Sequence, residues 1–250
     1  NTAGAVLLSN DSSGTAVPIT AGSVTNDNTP VLSGTAEVGT TVTILDGSNV
    51  LGTVVVGTGG TWTFTPTLAL GEGVHSITTT VTDAAGNVSA PSAAIGFTVD
   101  STPPATPVVT SLSNNNGGTA VVFTAGSTTN DSTPVIRGTG EVGATVTIRD
   151  GSTVLGTAIV GTNGIWRFEP TTALGKGSHT LTATATDTAG NSSAPSAGIT
   201  FSVDTIAPNA INDLVAKDDS GNTLTGVTND STPALSGTAE AGSIIKIYDG

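Results

Sequence analysis

An all-β chain of tandem antiparallel β-sandwich modules, laid end to end as an elongated rod, is the architecture this sequence predicts. Three observations carry the prediction. The composition favours strands and turns, with 33 Gly and 12 Pro in 250 residues and an abundance of Val and Thr. Short alternating runs are bounded by turn residues throughout, and no segment shows helical spacing long enough to compete. The chain also repeats itself: Trp62 returns as Trp166, His75 as His179, Asp83 as Asp187 and Asp100 as Asp204, each pair 104 residues apart.

The repeat sets the domains. Asp27 becomes Asp131 at the same spacing, and Asp131 becomes Asp230 after 99 residues. Residues 1–100 form module one, residues 101–204 module two, and residues 205–250 a truncated third. The pair Asn-Asp recurs in "TNDNTP" at Thr25–Pro30 and in "TNDSTP" at Thr129–Pro134 and Thr228–Pro233.

Within module one the expected strands are Ala5–Ser9, Val31–Ala36, Thr41–Leu45, Val50–Val56, Thr61–Thr65, Val74–Thr82 and Ala93–Val99. Asp46-Gly47 marks a hairpin whose central residues take positive φ, and Gly57–Gly60 a second turn. About seven short strands in about 100 residues read as two packed antiparallel sheets. Aromatics are 3% of the chain. The core is therefore expected from Val, Ile, Leu and Ala around one Trp per module, which assigns Trp62 and Trp166 to packing.

Charge and composition exclude several functions. The net charge is −13, with 19 acids against 6 bases, which argues against nucleic acid. No apolar run approaches the roughly 18 residues of a membrane span, so membrane insertion is not expected. Cys and Met are absent, removing disulfides and thiolate metal sites. The chain opens mid-pattern at Asn1 with no visible signal peptide, as a piece of a longer chain would.

No catalytic constellation emerges. There is no "GxSxG" elbow and no Ser-His-Asp grouping. "GTGG" at 57–60 lacks the helix and Lys of a phosphate loop. Glu37 and Glu72 fall at opposite ends of the sandwich, so they cannot act as a glycosidase pair. His75 and His179 sit mid-strand in separate modules and read as exposed or packed strand residues.

Running the chain up and down through seven strands places the acids. Asn26, Asp27, Asp46 and Asp100 fall at one end of module one. Glu141 and Asp187 fall at the facing end of module two. An oxygen-only set of this kind is what Ca²⁺ prefers, with six to eight ligands at about 2.3–2.6 Å. The second junction repeats the set with Asn130, Asp131, Asp150 and Asp204, plus Glu240 from the third copy. Structural alternatives stay open. Asn26-Asp27 before Thr-Pro fits a turn closed by its own side chain. Asp46 before Gly47 fits a plain hairpin, and Asp83 in "DAAGN" fits either a turn or a ligand.

The motifs "TNDSTP", "GTAE.G", "TD.AGN" and "VD...P" together resemble the bacterial Ig-like repeats of giant surface adhesins and biofilm-associated proteins of Gram-negative bacteria. The likeness covers essentially the whole chain. It implies Ig-like sandwiches, export by type I secretion, a cell-surface location tethered to the outer membrane, and Ca²⁺ at module junctions. By this resemblance Asp100 and Asp204, Asp83 and Asp187, and Asp27, Asp131 and Asp230 match the family's acidic positions. The function expected is a non-enzymatic stalk for cell adhesion and biofilm formation. Its partners are the neighbouring modules, with host-cell or matrix surfaces reached through other regions. Modules that bind a receptor or polysaccharide, or that self-associate as matrix, are the alternatives.

Overall fold

The computed structural model describes residues 4, 6–115 and 120–248. Ala5, at the start of the first expected strand, lies outside them. Among the described residues there are twenty strands and no helix.

Module one holds nine strands: β1 (Val6–Asn10), β2 (Val17–Ile19), β3 (Val24–Thr25), β4 (Val31–Thr35), β5 (Thr41–Asp46), β6 (Asn49–Val55), β7 (Thr61–Phe64), β8 (Gly73–Thr82) and β9 (Ile95–Val99). They form two sheets, β2-β1-β4-β7 and β3-β9-β8-β5-β6. Module two repeats the plan with β10 (Val108–Asn114), β11 (Val121–Phe123), β12 (Thr128–Thr129), β13 (Val135–Thr139), β14 (Thr145–Asp150), β15 (Thr153–Ile159), β16 (Ile165–Phe168), β17 (Gly177–Thr186) and β18 (Ile199–Val203). Its sheets are β11-β10-β13-β16 and β12-β18-β17-β14-β15.

The two strands beyond the expected seven are β2 and β3. Pro18 speaks against a strand in the sequence, but β2 lies at a sheet edge, where a missing N–H leaves no ladder bond unmade. β3 is two residues long and pairs parallel to β9, Val24 with Thr98 and Thr25 with Val99. The sheets are thus not wholly antiparallel: the chain leaves β2 in one sheet and joins the other sheet at β3. β12 does the same against β18. Because two strands are added, the up-and-down count is unchanged, and the ends of the module fall where the sequence placed them.

The Asp46 hairpin differs in detail. Asp46 is still in the strand, paired with Asn49, and the turn is Gly47-Ser48 with φ 57° at Gly47 alone. The Gly57–Gly60 turn forms as expected, closed by Gly60 N donating to Gly57 O at 2.9 Å.

Alternation along β8 fills the core. His75, Ile77, Thr79 and Val81 point inward, while Val74 and Ser76 face solvent. With Leu32, Val42, Ile44, Phe97 and Val99 they surround the buried Trp62. Module two packs Trp166 against the matching residues, and its indole Nε1 donates to Thr139 O at 3.1 Å. Gly138 lies opposite Trp166, where a Cβ would come within 2.3 Å of the indole and 2.2 Å of Val108 O.

The chain divides into compact units Asn1–Val203 and Asp204–Gly250. In the second, β19 (Asn212–Lys217) and β20 (Ala234–Thr238) pair antiparallel. Ile244 to Tyr248, which correspond to β5, form no strand there, and Ile244, Ile245, Ile247 and Tyr248 are exposed. β5 is held by β6 and β8 on its two sides, and residues 204–248 contain no counterpart of either.

Candidate functional site at the first module junction

The repeated Asn-Asp pair closes one end of module one and of module two. Asp27 is 3% exposed; its Oδ1 accepts from Thr29 N at 2.9 Å and its Oδ2 from Asp11 N at 3.1 Å. Asp131 does the same with Thr133 N and Asn115 N and is wholly buried. Asn26 accepts from Asn10 Nδ2 at 2.9 Å, as Asn130 does from Asn114 at 2.7 Å. One side chain thus ties the end of β1 to the turn after β3. A buried carboxylate is tolerated there because backbone N–H groups meet both oxygens.

Asp46 serves a partner that the sequence reading did not give it. Its Oδ2 lies 2.7 Å from His75 Nδ1, and its Oδ1 accepts from Ser76 N at 2.9 Å. His75 Nε2 lies 2.8 Å from Gly71 O. Asp150 and His179 repeat the arrangement with Thr180 N and Gly175 O. Burial lowers the His75 pKa, but the Asp46 and Gly71 hydrogen bonds and the Asp46 charge together raise it above its ordinary value. His179 is raised in the same way by Asp150 and Gly175. The signal was present in the sequence: His75 and Ile77 share a face, so a core-facing His needed polar partners.

Asp83 and Asp187 each organise a loop at the other end of their modules. Asp83 Oδ1 accepts from Ala85 N and Asn87 N, and Oδ2 from Asn87 Nδ2. The Asn87 side-chain bond, with the backbone N–H bonds, holds its pKa below the ordinary value. Asp187 accepts from Gly190 N, Asn191 N and Asn191 Nδ2. Gly86 and Gly190 supply the positive φ, 88° and 97°, that lets the chain curl around the carboxylate.

The Asp187–Asn191 loop meets module one. Asn191 Nδ2 donates to Asp187 Oδ2 at 2.9 Å and also to Asp100 O, across the junction, at 2.7 Å. A Cβ on Gly190 would stand 3.5 Å from Asn26 Nδ2, so this loop has close approach to both modules' ends. A shallow cleft of about 300 Å³ opens at the contact, lined by Asn10, Ser13 and Asn26 from one side and Ala189 and Gly190 from the other. Asp100 Oδ1 caps the linker at Thr102 N, 3.1 Å, and Glu72 accepts from Ser101 N and from its hydroxyl. Asn191 and Glu72 were both missed in the sequence. The recurrence of Asn at 87 and 191 in "AGN" was the available sign.

Of the first set of expected ligands, the structure brings Asn26, Asp100 and Asp187 to the contact. Asp27 and Asp46 spend their carboxylates inside module one. Glu141 is exposed, and its carbonyl closes the turn to Ala144 N. In the second set, Asp150 is bonded to His179 and Asp131 is buried, both within the first unit. In the second unit Asp204 Oδ1 accepts from Ile206 N, and Glu240 from Asn209 N. Among the described residues no three His, Cys, Asp or Glu groups stand together as metal ligands. The oxygens of Asn26, Asp100 and Asp187 suit a hard cation in kind, and carbonyls such as Asp100 O would have to complete a shell.

Paired sandwiches of this plan, joined end loop to linker, define a repeat protein of Ig-like modules. The profile of the bacterial Ig-like domain family matches residues 4–101 and 105–205. The chain belongs to that family. No curated protein matches it. Among solved structures it is similar to the fibronectin(III)-like modules of Clostridium thermocellum CbhA, at 17% identity and TM-score 0.48, over 80% of this chain and 94% of that one. It is also similar to the BSP domain of a biofilm associated protein, at 23% identity and TM-score 0.29, over 75% and 29%. A tetra-tandem repeat in the extending region of a large adhesion protein shares 21% identity at TM-score 0.31, over 85% and 62%. This chain therefore spans less than two thirds of the last two. These likenesses concern the fold alone.

Proposed function

We propose that this chain is a non-enzymatic spacer segment of a large repetitive bacterial surface adhesin, serving cell adhesion and biofilm formation from an extracellular, outer-membrane-tethered position after type I secretion. The observation that carries the reading is the hydrogen bond from Asn191 to Asp100 O, which spends a loop of module two on the linker end of module one. Modules that grip one another in series set a distance. The burial of Trp62 and Trp166, 5% and 1% exposed, favours this over a sugar-stacking module, since neither indole face is presented.

Calcium belongs to the same proposal. In it the ion sits at Asp100, Asn26 and Asp187, supplies positive charge at a junction of an acidic chain, and stiffens the linker. Extracellular calcium modules bind at about 10⁻⁴–10⁻³ M. Small-angle X-ray scattering in about 2 mM calcium and again in EDTA tests both parts. A long maximum dimension that shortens or broadens on chelation supports a calcium-set spacer. A compact profile in both conditions contradicts the spacer, and a long unchanged one contradicts calcium alone.

A second reading, self-association as matrix, is favoured by the edge strands β6 and β15, whose Val50, Val55, Val154 and Ile159 are exposed. Light scattering that rises with concentration would support it.

A further inference from the structure

The chain contains two His residues. Both stand between two hydrogen-bond acceptors. His75 Nδ1 lies 2.7 Å from Asp46 Oδ2, and Nε2 lies 2.8 Å from Gly71 O. His179 has Asp150 Oδ2 and Gly175 O at the same two distances. A carboxylate and a peptide carbonyl can only accept. A neutral imidazole carries one N–H, so one of its nitrogens would point a lone pair at an oxygen lone pair. The geometry is satisfied only by the imidazolium, with an N–H on each side.

The Asp46 bond runs between β5 and β8, which the ladder already pairs at Asp46 and Ile77, and the Gly71 bond ties to that corner a segment outside the strands. Asp46 is the last residue of β5. Gly71 lies in the crossover from β7 to β8, which passes from one sheet to the other. That crossover also buries Leu70, whose N donates to Asn28 O at 2.7 Å. Glu72, the residue after Gly71, accepts from the linker N–H of Ser101. The ring is otherwise closed in by Phe97, with centroids 5.7 Å apart, and His179 by Phe201 at the same distance.

We propose that His75 and His179 are proton-dependent clamps: each imidazolium locks its crossover loop to the corner of the second sheet, and loss of one proton opens one of the two bonds and loosens that end of the module. The charged groups facing the clamps are Asp46 from β5 and Asp150 from β14. Glu72 follows Gly71 in the first crossover, and Lys176 follows Gly175 in the second. Arg149, next to Asp150, is turned to Ser152 O. In module one the clamp reaches the linker through Glu72. In module two the residue at that position is Lys176. None of this rests on the spacer reading.

The sign follows from linkage. A His held above its ordinary value of 6.5 contributes stability that is complete below that value and is lost as pH rises through the folded-state value. Nitrogen-15 NMR of the unmodified chain gives the test, because the only two imidazoles present are the two clamps. The expected result is two doubly protonated rings at about pH 7, losing their protons above the ordinary His range. The melting temperature should fall over the same interval. The paired variant His75→Gln, His179→Gln should lack that fall between about pH 6 and about pH 9. Neutral, singly protonated rings at about pH 7 would overturn the proposal. So would an unmodified chain whose melting temperature follows the same pH slope as the variant. If the variant does not fold, the ring protonation states in the unmodified chain decide alone.

Discussion

Asp131 shows how a single carboxylate can be a structural part. It is wholly buried and accepts from two backbone N–H groups, that of Asn115 sixteen residues before it and that of Thr133 two residues after it. Asp131→Ala leaves both N–H groups without a partner, at about 1–3 kcal/mol each. Urea unfolding of the variant should show a loss of that order. Thr79 is the opposite case. Its hydroxyl is buried with no partner, and module two carries Ala183 at this place. Thr79→Val keeps the shape and removes the unmet group, so module one should gain about 1 kcal/mol in the same assay. Gly138→Ala should cost about 1–3 kcal/mol or more, since its methyl would overlap the Trp166 ring and Val108 O, and neither is free to move. What could be read at this scale was residue type and period. The two Trp residues declared themselves as core because the chain has so few aromatics. The second partner of a side chain was not legible: nothing local to Asp46 announces His75, 29 residues on.

At the scale of elements, the long alternating strands were legible and the short ones were not. β8 shows its period over ten residues, whereas β3 is two residues defined wholly by a partner 74 positions away, Val24 beside Thr98. A pairing of that kind leaves no local pattern. The ends of the sandwich were still placed correctly because β2 and β3 were missed as a pair. Loops carry their own tests. The 83–87 loop is wound around Asp83, whose pKa is lowered by Asn87 and the loop's N–H groups. Its stabilising bonds are present above the ordinary value of 3.8 and are lost as pH falls through the lower folded-state value. Amide exchange at Ala85 and Asn87, corrected for the intrinsic rate, should therefore accelerate only in strong acid. That is the opposite direction from the His clamps. Asn87→Ala should raise the pH at which the loop opens.

For the molecule as a whole, the claim is that successive modules hold each other through an end loop rather than hang on a free linker. The sequence showed that such a junction exists and which end of each module faces it. It did not show that Asn191 makes the crossing contact, because the candidates were the acids and the Asn-Asp pairs, and Asn191 lies in neither set. The absence of Cys makes a direct measurement simple: two introduced Cys residues, one at the exposed Thr61 of module one and one at the exposed Thr153 of module two, can carry spin labels with no background. Pulsed electron resonance then gives the distribution of distances between modules. The account predicts one narrow distribution with calcium present, broader in EDTA and broader still when Asn191→Ala is added. A distribution equally broad in all three conditions would mean that the modules are joined by a flexible tether, and would contradict it.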